Sequence, residues 1–159
     1  MKIFDYSDVI LVPRKGIVNS RSECDTSVKL GKFTFKIPVV PSNMESIVDE
    51  NLCVKLASKG YFYIMHRFGT DNKEFIKKMR SLNLFTSISI GVNEDSYSLI
   101  ADLIESDLMP DFITIDIAHG HCEKMEKMIK FIKTFGQDSL LICGNICTSE
   151  AASDLENWG

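Results

Sequence analysis

Five short apolar runs in this sequence are each followed by residues that could do chemistry. These residues are two amides, a cationic pair, a carboxylate, a methionine and a glycine, namely Asn43, Met44, His66, Arg67, Gly91, Asp116 and Asn145. A polar group at the end of an apolar segment costs free energy unless it is paired or used. Any single one of them could serve as a helix cap or a loop hydrogen bond, but the set together favours a binding or catalytic site.

Two arginines stand where they could bind an anion. Arg67 follows the second run, where a guanidinium is costly without a partner, so it indicates an anion or a carbonyl group. The alternative is an ion pair with a carboxylate in a neighbouring loop. Arg21 follows Ser20 in a polar loop, and a cation beside hydroxyl groups suits a phosphate or a dinucleotide. A solvated loop is the simpler interpretation of that second pattern.

The segment after the fourth run contains two histidines, His119 and His121, close to Asp116. This pattern is also found in metal sites, with Cys143 and Cys147 as conceivable further ligands. The spacing fits poorly, because the two cysteines lie across the end of a predicted strand. We therefore predict no metal, and we expect the histidines to lie in a loop that orients the next helix.

The apolar runs recur at a regular interval, and each precedes a stretch with helical periodicity. They span residues 37–40, 61–65, 86–90, 112–115 and 140–143, so that their starts lie 24, 25, 26 and 28 residues apart. Alternating buried strands and amphipathic helices predict a parallel α/β architecture. At this short interval we predict a (β/α)8 TIM barrel, of which these residues supply the first five βα units. An open doubly wound sheet is the alternative, although no glycine-rich phosphate loop follows any run.

The residues before the first run do not share this rhythm. We therefore divide the chain into an N-terminal flap of residues 1–36 and an incomplete barrel domain of residues 37–159. Within the flap, residues 8–12 predict a short strand and residues 29–35 a small hairpin. Helices are predicted over residues 49–59, after a capping box at residues 71–74, and in the stretches before Pro110, around residues 125–135 and from residue 149.

The composition and charge of the chain argue against several classes of function. A net charge of −4 in 159 residues, without a dense basic tract, argues against nucleic-acid binding. We find no apolar stretch long enough for a membrane span and no secretory leader, and the odd number of cysteines, five, suits the cytoplasm. Cys147, just before a predicted helix, is the only cysteine placed for nucleophilic catalysis, and no base can be assigned to it.

Several segments resemble the bacterial GMP reductase branch of the inosine monophosphate dehydrogenase/GMP reductase family. They read FDYSDV, NSRSE, PSNM, MHRF, IDIAHGH and GN, at residues 4–9, 19–23, 41–44, 65–68, 115–121 and 144–145. The sister dehydrogenases typically carry a regulatory domain pair after the second strand. Here only a short stretch separates Phe68 from the next helix, which resembles the reductases.

The resemblance implies NADPH-dependent reductive deamination of GMP to IMP and ammonia, on a barrel that forms homotetramers. Asn43 and Met44 would border the purine, and Asp116 would help to position the departing ammonia. The resemblance implies that Ser20 and Arg21 bind the cofactor of a neighbouring subunit. It also implies a second set of cofactor-binding residues, namely Arg67, Asp116, Ile117, Ala118 and Asn145.

The same resemblance places the nucleophilic cysteine in a glycine-rich loop after the sixth strand, a position that none of the five cysteines here occupies. Barrel enzymes also generally bind phosphate after strands seven and eight. We therefore expect these residues to contain part of a cofactor site without catalysing alone. The alternatives are an inosine monophosphate dehydrogenase and a non-catalytic half-barrel that binds a partner. A metal-dependent hydrolase built on His119 and His121 is a more distant one.

Overall fold

A computed structural model of the chain describes residues 4–135 and 138–159. It contains short 3-10 helices at Tyr6–Asp8 and Arg21–Glu23, five strands and five α-helices. The strands are β1 (Val28–Leu30), β2 (Phe33–Phe35), β3 (Ser87–Ile90), β4 (Phe112–Asp116) and β5 (Leu140–Gly144). The helices are α1 (Glu50–Ser58), α2 (Asn72–Ser81), α3 (Glu94–Glu105), α4 (Glu123–Phe135) and α5 (Ser149–Trp158).

A parallel sheet of order β3-β4-β5 forms the centre of the molecule. Ser87 lies opposite Phe112, which lies opposite Leu140, so the three strands begin level with one another. Helices alternate with these strands along the chain, which confirms the predicted parallel α/β class. Because the strands are parallel, their carboxyl ends meet at one edge, and the polar residues that follow them are brought together there.

The predicted strands at the start of the chain are wrong. Residues 37–40 form no strand, the run at residues 61–65 pairs only through Met65 with Ile88, and residues 9–12 are irregular after the 3-10 helix that ends at Asp8. An apolar run becomes a strand only where a neighbouring strand takes up its N–H and C=O groups. Val39 and Val40 remain exposed, and none of the strands in the described residues pairs with residues 37–40.

The helices begin close to their predicted positions because side-chain caps set them. Asp49 accepts the N–H of Leu52, and Asp71 accepts the N–H of Glu74 at 3.1 Å, as the predicted capping box requires. The apolar faces of all five helices pack on one side of the sheet. The fully buried members of that core include Ile88, Ile90, Ile113, Ile115, Phe75, Ile100, Leu103, Met125 and Met128.

The predicted hairpin is present and closes the sheet at the start of its strands. β1 and β2 pair antiparallel around Gly31, whose φ of 59° is in the left-handed region that favours glycine. Phe35 packs against Phe62 with ring centroids 5.0 Å apart, and Phe62 lies 5.0 Å from Phe112 at the start of β4. This aromatic cluster fills the end of the sheet opposite the polar edge.

A polar contact also fixes the hairpin to β4. The Asp111 carboxylate pairs with the Lys32 ammonium at 2.9 Å and accepts the Thr86 N–H and hydroxyl at 2.9 and 3.0 Å. The Asp111 N–H in turn donates to the Thr86 hydroxyl at 2.9 Å. Burial opposes the charge on Asp111, yet the bonds from Lys32 and Thr86 together outweigh it and hold the pKa of that carboxyl below its ordinary 3.8.

Asp111→Asn is therefore expected to lower the free energy of unfolding by about 1–3 kcal/mol at pH 7. Because the folded-state pKa is depressed, the wild-type contribution is complete above the ordinary value of 3.8 and is lost as the pH falls through the lower folded-state value. Denaturant unfolding between pH 7 and pH 2 measures both effects. The control is Glu123→Gln, which removes an exposed ion pair with Lys127 and should change the free energy of unfolding by no more than about 0.5 kcal/mol. An equal loss of stability in both variants would contradict the stabilising role of Asp111.

Among the described residues, no helix is long and apolar enough to cross a bilayer. Ile10, Leu11 and Val12, in contrast, form an apolar stretch whose members are 90%, 95% and 80% exposed. Contiguous exposed apolar side chains of this kind are typical of surfaces that another polypeptide segment covers.

Candidate functional site

The end of β4 brings together two residues that the sequence analysis placed in the site. The Asn43 amide donates from Nδ2 to Oδ2 of Asp116 at 3.0 Å, and both side chains are half-buried. The two residues are 73 positions apart in the chain, so this contact is a product of the fold. The bond fixes one carboxylate oxygen and leaves the other available to a ligand, which is what a carboxylate that orients a substrate requires.

The loop after β4 is fixed to the end of β5 by backbone hydrogen bonds. Ile117 donates to the carbonyl of Gly144 at 3.0 Å, and Asn145 donates to the carbonyl of Ile117 at 2.7 Å. Gly120 then donates to the carbonyl of Asn145 at 2.7 Å. These bonds place the loop beside Asn145, so that the two segments form one wall of the polar edge. Asn145 and Ala118 are exposed on that wall.

Gly120 is the closest approach between the two segments. A Cβ atom at this position would lie 2.9 Å from the Asn145 carbonyl oxygen and 3.1 Å from the Gly144 carbonyl carbon. Both are backbone atoms, which cannot move aside as the end of a flexible side chain could. Glycine is therefore required here for close packing of the loop.

Arg67 presents its charge at the same edge. It is exposed, its guanidinium carbon lies 4.6 Å from the centroid of the Phe68 ring, and the neighbouring His66 is buried with Nδ1 accepting the Phe68 N–H at 3.2 Å. No carboxylate in residues 4–135 or 138–159 lies within ion-pair distance of Arg67. The ion-pair alternative for this arginine is therefore not found, and its charge is available to an anion.

A cavity of about 240 Å³ adjoins Arg67 between the starts of α2 and α3. Its floor is tied together by hydrogen bonds, with the Gly91 N–H donating to Oγ of Ser96 at 3.1 Å and that hydroxyl donating to Oδ1 of Asn93 at 2.7 Å. Asn72 also lines the cavity, although it is not among the predicted site residues. Its residue type does not indicate a site, because Asn72 lies in the first turn of a helix, where asparagine is common.

The two histidines after β4 lie in the loop before α4, as predicted. Nε2 of His121 lies 2.8 Å from Oδ2 of Asp154 on α5, and the His121 ring lies tilted against the Trp158 ring with centroids 5.9 Å apart. Among the described parts of the chain, no three side chains of His, Cys, Asp or Glu converge as metal ligands would. His121 thus ties the loop to α5.

Of the remaining predicted site residues, Ser20 and Arg21 make no contact with this cluster among the described residues, whereas Met44 adjoins it. Ser20 caps the short helix that starts at Arg21, with its hydroxyl accepting the Ser22 N–H at 3.3 Å, and the segment is exposed. Within the described residues, no hydrogen bond or ion pair joins it to Asp116. Met44 follows Asn43 and is 54% exposed, so it is placed to contact a ligand rather than the core.

Two of the five cysteines are poor nucleophiles. Burial raises the pKa of the Cys53 thiol to about 12, with a smaller contribution from Asp49 and Glu50, and burial raises that of Cys143 to about 11. Such thiols are almost entirely protonated at neutral pH. Cys24 and Cys147 are exposed and Cys122 is half-buried, and all five are free.

Comparison with known proteins gives a consistent assignment. A model of the IMP dehydrogenase / GMP reductase domain matches residues 3–159. The chain is 56% identical to GMP reductase from Oceanobacillus iheyensis over 99% of its length, 54% identical to that from Mycoplasma mycoides subsp. mycoides over 100%, and 52% identical to that from Bacillus subtilis over 99%.

These matches cover 48%, 50% and 48% of the three relatives, so the chain spans about half the length of the curated relatives that it matches. The family match, in contrast, covers nearly the whole of this chain. The motifs at the polar edge, the parallel α/β core and the family match agree with one another: the chain belongs to the IMP dehydrogenase/GMP reductase family.

Proposed function

We propose that these residues form the cofactor side of a GMP reductase, which catalyses NADPH-dependent reductive deamination of GMP to IMP and ammonia. The observation that carries this proposal is the polar edge itself, where Asn43 and Asp116 meet at 3.0 Å and where Arg67 has no acidic partner among the described residues. The names of the relatives supply the reaction, and the local geometry supplies groups that suit its ligands.

The residues of the polar edge suit a nicotinamide dinucleotide. In the part of the chain that the structure describes, Arg67 has no acidic partner and can offer its charge to an anionic ligand, and Asp116 has one oxygen bound by Asn43 and one without a partner. NADPH, when bound, supplies the hydride. Within the proposal, Ile117, Ala118 and Asn145 line the nicotinamide pocket, since the backbone bonds between them shape one wall.

The purine lies, in this proposal, against Asn43 and Met44 on the loop before α1. Asn43 then has two tasks, because its amide contacts the ligand and also orients the Asp116 carboxylate. The open oxygen of Asp116 accepts hydrogen bonds from the departing ammonia, which makes Asp116 the proposed catalytic residue among those present. A hydrogen bond to a charged group of this kind is stronger than a neutral one.

The nucleophile of the reaction is not among the five cysteines of this chain in our proposal. Cys53 and Cys143 have raised thiol pKa values. The other three cysteines take no part in the Asn43–Asp116 hydrogen bond. We expect the chain alone to turn over no GMP. The complete domain is, in the proposal, a (β/α)8 barrel of which the sheet β3-β4-β5 is one part.

We further propose that the enzyme works in the cytoplasm as a homotetramer. The exposed stretch Ile10–Val12 supports an oligomer, because it offers apolar surface to another subunit. In that arrangement Ser20 and Arg21 reach the cofactor of a neighbouring subunit. We propose neither a nucleic acid nor a membrane as a partner.

The alternative inside the family is an IMP dehydrogenase. One structural feature argues against the dehydrogenase, since only residues 69–71 separate Phe68 from the start of α2. That connection leaves no room for an inserted domain pair. A non-catalytic half-barrel is a second candidate, supported by the exposed side chains of Val39 and Val40 and by the half-buried residues of β5.

A fusion of this chain with the second half of the Oceanobacillus iheyensis relative tests the reaction. We expect the fusion to oxidise NADPH only when GMP is present and to release IMP and ammonia. The same protein with IMP and NAD is the control for the dehydrogenase. Reduction of NAD by IMP without NADPH oxidation would favour that alternative, and a folded fusion with neither activity would favour the non-catalytic half-barrel.

A further inference from the structure

The amide of Asn72 is buried and makes no hydrogen bond. Asn72 is only 7% exposed, and its Oδ1 has no partner within the described residues. The residue lines the cavity of about 240 Å³ between the starts of α2 and α3, together with Arg67.

An arrangement of this kind works against folding. A buried polar group without a partner costs about 1–3 kcal/mol, and buried polar groups in folded proteins are rarely left without one. Asn72 is not needed to cap α2, because Asp71 already accepts the N–H of Glu74. An apolar side chain of the same size would suit the free protein better. The amide is therefore explained if a ligand is its partner.

We propose that Asn72 and Arg67 together bind a phosphorylated ribose in this cavity. A phosphate oxygen accepts from the Arg67 guanidinium, which has no acidic partner in the described chain, and a ribose hydroxyl donates to Oδ1 of Asn72. Asp95 also lines the cavity and supplies a second acceptor for ribose hydroxyls. A ligand with acceptors alone would leave Oδ1 of Asn72 without a donor among the described residues.

This inference rests on the proposed function for the source of the ligand, which would be the dinucleotide cofactor. The cavity is nevertheless separate from the Asn43–Asp116 contact, since neither residue lines it. The mononucleotide substrate contains a phosphorylated ribose as well. The chemistry is shared, and competition between ligands distinguishes the two sources.

The test is Asn72→Leu in the full chain, with Asn51→Leu as the matched control. Asn51 is an exposed asparagine in the first turn of α1 and does not line the cavity. Isothermal titration with ribose 5-phosphate measures binding, and thermal unfolding measures stability. We expect Asn72→Leu to weaken binding about tenfold while the midpoint of unfolding stays the same or rises. Asn51→Leu should leave binding unchanged.

Asn72→Asp supplies a second variant that keeps the polar character of the site. Its carboxylate would attract the Arg67 guanidinium and repel phosphate, so binding should be lost while the helix start is retained. A fall in stability with Asn72→Leu and unchanged binding would overturn the inference, because Asn72 would then be structural. Absence of ribose 5-phosphate binding by the wild-type chain would overturn it as well.

Competition assigns the source. Displacement of ribose 5-phosphate by NADPH supports the cofactor, and displacement by GMP alone supports the substrate. A third outcome is that neither nucleotide displaces ribose 5-phosphate while Asn72→Leu still weakens its binding. The binding site in the cavity would then be supported, and the proposed function would not be supported there. The two ideas therefore fail separately.

Discussion

Gly120→Ala is expected to disrupt the polar edge and to destabilise the chain by about 1–3 kcal/mol, the usual cost of forcing an extra methyl group into a packed site. The new Cβ would lie 2.9 Å from the carbonyl oxygen of Asn145, to which the Gly120 N–H donates at 2.7 Å. To relieve that contact the loop must move away from β5. The backbone bonds between Ile117 and Asn145 would then weaken too.

Amide hydrogen exchange measures this directly. In Gly120→Ala we expect faster exchange at Ile117, Gly120 and Asn145, whose N–H groups make the bonds between the two segments. The control is Gly16→Ala, where nothing lies within 4 Å of the new Cβ. Unchanged exchange at those three amides in Gly120→Ala would show that the loop tolerates the methyl group, and the close-packing argument would be wrong.

Asp116→Ala is expected to reduce kcat of the GMP-dependent reaction about 10²-fold or more in the fusion protein, within the range that general acid–base and positioning groups contribute. Asp116→Asn keeps the size of the side chain and an oxygen that can accept from Asn43, but it removes the charge. We therefore expect a similar loss of kcat in Asp116→Asn with little change in stability.

A double-mutant cycle with Asn43→Ala separates positioning from chemistry. If Asn43 acts on the reaction by orienting Asp116, its removal should cost about tenfold in kcat alone and much less when Asp116 is already alanine. Additive losses would mean that Asn43 and Asp116 act independently. That result would contradict the role assigned to their 3.0 Å hydrogen bond.

The parts of the fold that the sequence predicted are those set by local rules. Asp49, Asp71 and Asn93 each cap a helix, and the caps fix where α1, α2 and α3 begin. Strand runs at residues 86–90, 112–115 and 140–143 became β3, β4 and β5 because each has a strand beside it. The runs at residues 37–40 and 61–65 are apolar as well, but the first has no neighbouring strand and the second pairs only through Met65. Whether a run finds a neighbouring strand depends on the whole fold and cannot be read from the run itself.

The site was predictable where residues follow strands and not where it depends on long-range contacts. Asp116 and Arg67 were identified because polar groups after apolar runs are unusual. The bond from Asn43 to Asp116 spans 73 residues and follows only from the packed structure. The unpaired amide of Asn72 was missed, because its meaning comes from the missing partners around it and its position in a helix start is common.

The central claim is that the carboxyl ends of these strands form the cofactor side of the site, and NMR titration of the chain with NADPH tests it most directly. We expect chemical-shift changes at Arg67, at residues 116–118 and at Asn145. The hairpin at residues 28–35, which lies at the opposite end of the sheet, should stay unchanged. Shifts confined to the hairpin, or none at saturating NADPH, would contradict the account.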